Sequence, residues 1–476
     1  MSRASGIARV LALAGLAAGL TACALHTPTI TRPTLRTDVP LAATSSPSAA
    51  EWPAADWWKT YGDPTLDALV EQALKGSPSL SAADARFTSA RESVRLSGAA
   101  QGVQVEASGA AERQRLSDNG IFPPKFLGFN WYNQVDLGIR ASYNFDWWGK
   151  QRAAIAAAVD ESRAAQAELA AASLVLSAAV ADSYFGWQAD QQRLGLARER
   201  LALQARQSRI QAQRVSAQLD NSDATRLLSQ DEASTRESIA ALEGSARLRV
   251  VTLVALLGVS PDELPPLTVR ALPEAAAALP ESVRLDLIAR RPDITASRWR
   301  VESAQQNLVG ARADYFPDVS IHALAGLSSL QIGKLLESGS AVPALGAAIH
   351  LPLFDSGLRE ARFGARQAQV ASAVAAYDET VIGAAREVAT AASAGLAVDA
   401  QRQQRELHLA SARQLVDAAA SRVRAGLTDV RSQLSTSLAV NTDQDALAQL
   451  NLAALSADVA LRRALGGGFV AREVTP

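Results

Sequence analysis

Cysteine is nearly absent from this sequence: one residue in 476, Cys23, carries a thiol. A single cysteine excludes a disulfide framework and any metal site made of several thiolates. The four histidines are scattered along the chain, and the glycine-loop, serine-elbow and zinc motifs of common enzymes are missing. We therefore expect a protein that is not an enzyme and that needs no metal or cofactor.

An excess of either charge is missing too, because 47 Lys and Arg residues are balanced by 48 Asp and Glu residues. With no dense basic cluster, nucleic acid is not an expected partner. Beyond the N-terminus no unbroken run of 18 apolar residues occurs, so no transmembrane helix is expected. Methionine occurs only as Met1, so the sequence gives no sign of a methionine-lined path for copper or silver.

The N-terminus reads as a secretory signal peptide spanning 1–22. A basic start is followed by an apolar run at 10–20 and by small residues. The motif "LTAC" at 20–23 resembles a bacterial lipobox, which implies cleavage before Cys23 and attachment of S-diacylglycerol and N-palmitoyl groups to it. Ala24 stands where an aspartate would retain a lipoprotein in the inner membrane, so the outer membrane is the expected location. The alternative is a plain signal peptide with an incidental cysteine.

One stretch, 134–147, alternates apolar and polar residues without interruption. A period of two predicts a strand with two unlike faces. A tilted strand of about ten residues crosses a bilayer, with its apolar face on lipid and its polar face on water. Tyr143, Trp147 and Trp148 cluster at one end, where aromatic rings favour the membrane–water interface. The alternative is a tryptophan pair buried in a core.

The chain repeats itself, since "SPSLSAADARF" from Ser77 is answered by "RPDITASRWRV" from Arg291. Each copy predicts helix, strand, loop, strand, very long helix, short turn and helix. Strands are expected at about 103–115 and 134–147, then at about 318–328 and 344–354. Long helices are expected at about 149–219 and 357–427, with return helices at about 223–258 and 430–465. The chain thus divides into signal peptide 1–22, lipidated tether 23–60, first repeat 61–290, second repeat 291–466 and tail 467–476.

Four lipid-facing strands cannot close a barrel, and open edges find no hydrogen-bond partners in hydrocarbon. Two chains would give eight strands and a filled interior, whereas three would give twelve and leave a pore. We therefore expect a homotrimer. Each long helix, of about 70 residues, would extend for about 100 Å. Such alanine-rich helices suit a tube of adjacent helices, with an ordinary coiled coil as the alternative.

These features together resemble the TolC-like outer-membrane efflux protein family, in its lipoprotein branch. The resemblance rests on the lipobox, the duplicated "SPSL" and "RPDI" helix starts, the "FDWWGK" and "FDSG" turns, and the "RVSAQL" and "RVRAGLTDV" tips. It implies a mixed fold, in which a trimeric twelve-stranded outer-membrane barrel is continued by a long periplasmic α-helical barrel. It also implies a periplasmic adaptor and an inner-membrane pump as partners, and outer-membrane lipid around the barrel.

The resemblance further implies an aperture at the two helical tips, 218–225 and 426–434. The candidate residues there are Asp220, Asp223, Leu427, Asp429 and Val430. Three-fold symmetry would turn an aspartate into a ring of carboxylates, which favours cations. Turn and helix-capping roles are the alternative, because aspartate suits both.

Two other functions stay open at this point. The same fold could export polypeptides instead of small molecules as part of a type I secretion system. A lipoprotein of another class could form a periplasmic coiled-coil scaffold without any channel. Conductance in a planar bilayer would separate the scaffold from the ducts, and the co-purifying pump would separate the two ducts.

Overall fold

In the computed structural model of the chain, the described residues are 27–39, 51–119, 123–275, 279 and 283–471. The predicted signal peptide and Cys23 lie outside these residues. The first repeat contains helices α1 (Pro64–Gly76) and α2 (Pro78–Gln101), strands β1 (Gln104–Arg115) and β2 (Trp131–Phe145), and helices α3 (Lys150–Ser216) and α4 (Ser222–Leu257). Helix α5 (Val283–Arg290) ends at the predicted boundary between the repeats. The second repeat contains helix α6 (Pro292–Ala313), strands β3 (Asp318–Ser329) and β4 (Ala344–His350), and helices α7 (Leu358–Arg424) and α8 (Val430–Ala464).

The two repeats agree closely in length. Strands β1 and β3 have 12 residues each, and helices α3 and α7 have 67 each. A shift of 214 residues places α2 and β1 on α6 and β3, and a shift of 208 places α3 on α7. The duplication seen in the sequence is therefore a structural one.

The four strands form one antiparallel sheet in the order β1-β2-β3-β4. Phe145 pairs with Val319, which in turn pairs with Ile349, so apolar residues share one face across three strands. Arg140 pairs with Glu106 on the opposite face. The alternation predicted from the sequence thus produces two unlike faces.

Three strand boundaries differ from the prediction by two to four residues, and the first is the start of β2, at Trp131 instead of 134. Strand β2 ends at Phe145, so Trp147 and Trp148 lie in the turn after it instead of at its end. Strand β4 ends at His350, four residues before the predicted limit. Pro352 follows closely, and a proline has no N–H for a ladder of hydrogen bonds.

In each repeat, an aspartate and an arginine form hydrogen bonds at the turn between the second strand and the long helix. Asp146 accepts hydrogen bonds from the backbone N–H groups of Gln151 and Arg152 and from Arg152 Nε. In the second repeat, Asp355 accepts them from the N–H of Arg359 and from its Nε at 2.7 Å. The motif satisfies N–H groups that a helix start leaves without partners.

Two compact units can be distinguished, and each takes segments from both repeats. Of the described residues, one unit draws on 27–34, 88–164 and 298–376, and the other on 35–39, 51–87, 165–297 and 377–471. The second unit has a core around the buried Trp57, Tyr184 and Phe185. The compact bodies therefore do not coincide with the sequence repeats.

A run of three glycines, 466–468, follows α8 in this second unit. Gly466 has a φ of +92°, and a Cβ added there would lie 1.9 Å from the carbonyl oxygen of Arg290. Only glycine permits both this backbone conformation and this approach.

Helices α3 and α7 each include an 18-residue window that is long and apolar enough to cross a membrane by composition. No such helix is expected from the sequence, because no unbroken run of 18 apolar residues occurs beyond the N-terminus. Within those windows 39% and 33% of the residues are buried inside the chain, and packed helices of soluble regions pass the same test.

Candidate channel wall and aperture

The polar face of the sheet is suited to line water. Arg140 Nη1 lies 3.2 Å from Glu106 Oε1, and Gln134 Nε2 donates to Asp136 Oδ2 at 3.0 Å. Small residues stand between these polar groups, because Gly138 pairs with Gly326 on this face. One apolar side chain, Leu324, packs over these two glycines, and the other paired residues keep this face mainly polar.

The opposite face is apolar and bare in the single chain. Its exposed members on three strands include Val105, Ile139, Leu345 and Ile349. A contiguous apolar surface that extends over several strands marks a contact with protein or membrane. On a strand whose other face is polar, lipid is the contact that fits.

Strands β1 and β4 each pair on one side only within the described sheet. Their outer edges carry backbone N–H and C=O groups that need a second strand. In hydrocarbon each such unsatisfied group costs several kcal/mol, so the sheet must close with other chains.

The predicted interface aromatics contact other aromatic rings at the end of β2 and in the turn that follows it. Tyr143 packs edge to face on Phe145 with ring centroids 5.1 Å apart. Trp148 stacks on Phe316 at 4.5 Å and donates its indole N–H to the carbonyl of Pro317 at 2.9 Å. Trp147 is 62% exposed, so the pair is not a buried core. Their position at the bilayer boundary stays a prediction.

The two helical tips are joined by charged side chains. Asp220, in the turn between α3 and α4, lies 3.5 Å from Arg214 Nε and 3.9 Å from Arg431 Nη1. Arg431 belongs to α8, so it connects one hairpin of the chain to the other. Gln211 and the backbone N–H of Asn221 hold the pKa of Asp220 below its usual range, assisted by Arg214.

Asp429 is the N-cap of α8. Its carboxylate accepts from the N–H of Arg431 at 2.6 Å and from Arg431 Nε at 2.7 Å. That backbone hydrogen bond and the arginine side chain hold the pKa of Asp429 low. Its capping role, one of the alternatives drawn from the sequence, is present here.

The remaining tip candidates are more loosely placed. Asp223 is paired with Arg226 one turn along α4, at 3.3 Å. Leu427 is 77% exposed, and Val430 is half-buried at the first position of α8. The structure therefore brings together Asp220 and Asp429 through Arg431, and leaves the other three at the margin.

Sequence reasoning named the carboxylates and missed Arg214 and Arg431, which neutralise them. The signal was available, because Arg431 follows Asp429 by two residues. With two arginines against two aspartates, the four-residue cluster has no net charge. A plain ring of free carboxylates therefore does not describe the tip of a single chain.

A two-faced sheet open at both edges, joined to helices of 67 residues, defines a subunit of a membrane channel. The sequence matches the outer membrane efflux protein family over residues 69–259 and 284–467. This chain belongs to that family.

Individual relatives agree over nearly the whole length. The multidrug resistance outer membrane protein MdtP of Shigella flexneri is 31% identical over 440 residues, which cover 90% of this chain and 89% of that protein. The pyoverdine export outer membrane protein OpmQ of Pseudomonas putida is 30% identical over 476 residues, covering 98% and 99%.

Solved structures of outer-membrane proteins also agree with this chain over most of its length. The outer membrane protein VceC of Vibrio cholerae superimposes with a TM-score of 0.78 at 31% identity, over 88% of this chain and 100% of that one. The outer-membrane channel OprN superimposes with a TM-score of 0.82 at 27% identity, over 93% and 98%. The expected fold is confirmed: three chains with four strands each form an outer-membrane barrel that continues as a helical barrel. The chain is a subunit of an outer-membrane efflux channel.

Proposed function

We propose that the trimer is the exit duct of a tripartite pump that exports small molecules across the outer membrane. The observation that carries the proposal is the polar face of the sheet, which alternates with an apolar face without interruption over residues 134–145 of β2. The names of MdtP and OpmQ refer to drugs and to pyoverdine, both small compounds, and this supports small cargo over polypeptides.

The duct itself would supply a path and no energy. We propose that a periplasmic adaptor binds its helices and that an inner-membrane pump drives transport. The chain would perform no catalysis and would carry no cofactor besides its covalent lipid. Among the residues that the structure describes, no group of three or more His, Cys, Asp and Glu side chains could hold a metal ion.

We propose further that Cys23 carries the lipid that anchors the chain. Cys23→Ser should leave the trimer and its conductance intact but remove label from radioactive palmitate. If the variant still carried the label, the proposal that Cys23 is lipidated would be wrong, and the duct proposal would be unaffected.

The aperture is proposed to lie at the tip cluster Arg214, Asp220, Asp429 and Arg431. Three copies of the cluster would meet around the axis, so the bond between Arg431 and Asp220 would hold two hairpins of each chain in one arrangement. The exposed Leu427 would then lie beside the constriction.

The central test uses purified full-length protein in planar bilayers. Discrete conductance steps are expected, together with drug sensitivity in a Gram-negative strain after deletion of the gene. Channels that conduct while the deletion strain keeps full drug resistance and loses a secreted polypeptide would support the type I secretion duct instead. A silent bilayer would favour the scaffold and overturn the duct.

A further inference from the structure

The apolar face of the sheet ends in two arginines at one end of β1. Ala111 is the last apolar residue of β1 on this face, and Arg113 and Arg115 follow it there with the strand period of two. Ala111 pairs with Val135 of β2, and the next pair outward on the same face is Arg113 with Asn133. The change from apolar to charged side chains therefore takes place within one pair of residues.

The length of the apolar part places these arginines at a membrane boundary. On this face of β2 the apolar part runs from Val135 to Tyr143, close to the about 9–11 residues that a tilted strand needs to cross the hydrocarbon. Helices α2 and α3 join the sheet at its other end, before Gln104 and after Phe145. Since the helical barrel extends into the periplasm, the arginine end of the sheet lies at the outer leaflet.

Trp131 lies at the same boundary. It pairs directly with Arg115, and the guanidinium of Arg113 lies over its ring, 5.5 Å from the centroid. The side chain of Trp131 is 53% exposed in the single chain. Tryptophan favours the level of the lipid headgroups, and an arginine near that level extends its charge out of the hydrocarbon. Both guanidinium groups are therefore at the depth where headgroup phosphates lie.

The protein itself neutralises these arginines poorly. Among the described residues, Arg113 contacts the ring of Trp131 and no carboxylate. Arg115 has one acidic partner, Asp118 at 3.8 Å, and the two side chains are 62% and 74% exposed, so this ion pair contributes little. Over residues 113–131, Asp118 is the one acidic residue against two arginines and a lysine. An excess of positive charge therefore lies beside the apolar face.

The second hairpin of the sheet lacks the arginine pair. The shift of 214 residues that places β1 on β3 brings Arg113 onto Leu327 and Arg115 onto Ser329. Residues 327–344 carry one basic and one acidic side chain, so their charges cancel. The basic site is thus specific to the first repeat, and a trimer has three copies of it.

We propose that Arg113 and Arg115 bind the phosphate groups of an anionic glycolipid in the outer leaflet. A guanidinium matches phosphate oxygens with two parallel hydrogen bonds, which makes arginine suited to this anion. The two arginines alternate along one strand and stand about 7 Å apart, so both can reach one headgroup. The acyl chains of the same lipid lie along the apolar face that begins at Ala111 and Val135.

Native mass spectrometry of the full-length trimer in a non-ionic detergent at low salt tests the site. The probe is lipid A, a glycolipid with two phosphates, and wild-type trimers should retain one molecule per chain. Arg113→Gln with Arg115→Gln should weaken binding by about tenfold or more, because the charge-assisted hydrogen bonds are lost. Arg140→Gln removes an arginine from the opposite, polar face of the same sheet, and this matched control should bind as the wild type does.

Two further variants separate binding from folding. Arg113→Lys with Arg115→Lys should retain part of the affinity, because the charge remains while the bidentate geometry is lost. Asp118→Asn should tighten binding by a few-fold, because it removes the carboxylate that competes with phosphate for Arg115. Lipid A stripped of its phosphates should bind the wild type as weakly as intact lipid A binds the glutamine variant.

The proposal is wrong if the glutamine variant, still trimeric, retains lipid A as the wild type does, or if Arg140→Gln loses it equally. Equal binding of the dephosphorylated lipid would leave an apolar contact alone, and retention of inorganic phosphate in its place would leave a general anion site. Either result overturns the proposal. If the glutamine variant does not assemble, the Asp118→Asn trimer decides, and unchanged affinity in that variant also overturns it.

Discussion

Arg431 Nη1 lies 3.9 Å from Asp220 Oδ2, and these two residues belong to different helical hairpins of one chain. The arginine also holds the carboxylate of Asp429 at 2.7 Å, so one guanidinium serves both tips. Side chains at this site are about one third exposed, which limits each ion pair to a modest free energy. A gate of this kind would favour its closed state by only a small free energy, which the binding of a partner could reverse.

Arg431→Ala should therefore loosen the tip. An ion pair this exposed contributes little free energy, so the open fraction of single channels should rise by a few-fold at most. Recordings in planar bilayers at low salt would measure it. Arg226→Ala is the matched control, because Arg226 pairs with Asp223 inside one helix, and an equal rise in that variant would refute the role of Arg431.

The ion pairs at the tip should also break in acid, but only well below neutral pH. The pKa values of Asp220 and Asp429 are lowered in the folded protein, so their ion pairs are complete above the ordinary aspartate value of about 3.9. They are lost only as the pH falls through the lower folded values. Conductance should stay level from neutral pH down to about pH 4 and rise below it. A rise already at pH 6 would assign the effect to other groups.

Gly466→Ala should destabilise the protein. A methyl group there would meet the carbonyl oxygen of Arg290 at 1.9 Å, in a backbone conformation that alanine avoids. Strain and overlap together should cost about 2 kcal/mol or more. Gly395→Ala provides the control, because its Cβ would meet nothing within 4 Å inside a helix, where alanine is favoured by up to about 1 kcal/mol. Thermal melting followed by circular dichroism should separate the two variants in opposite directions.

Tyr184→Phe should lower the stability of the fold, because it removes a buried hydroxyl group that forms hydrogen bonds. The Tyr184 hydroxyl donates to Asp63 Oδ2 at 2.7 Å and accepts from Gln188 Nε2 at 2.8 Å. Burial, with the carboxylate of Asp63, raises the pKa of Tyr184 to about 12, so the hydroxyl stays a donor at all physiological pH values. Its loss should cost about 1–3 kcal/mol, because Asp63 keeps a buried oxygen without a partner. Tyr132→Phe, whose partner Gln114 is exposed, should cost much less in the same thermal assay.

Much of this architecture could be read from the sequence because its signals are local. Alternation predicts a strand with two faces, and a proline-free alanine-rich segment predicts a long helix, so β1 and α3 fall within a few residues of their predicted limits. The early end of β4 was missed because the apolar alternation continues past Pro352, where the hydrogen-bond ladder cannot.

The ion pair between the two tips was missed for a different reason. Asp220 and Arg431 are more than 200 residues apart, and no period or motif relates two such positions. Their meeting depends on how two hairpins pack, which only the folded chain specifies. Tip aspartates attract notice as turn residues, whereas the arginines that neutralise them look like ordinary helix-surface residues.

The division of each compact unit between both repeats has a consequence for biosynthesis. Residues 377–471, at the far end of the chain, belong to the same unit as 51–87. One unit cannot be completed before residue 376 has been synthesised, and the other cannot be completed before the last segment, 377–471, has been added. A chain truncated after its first repeat would thus leave two unfinished bodies in place of one finished half.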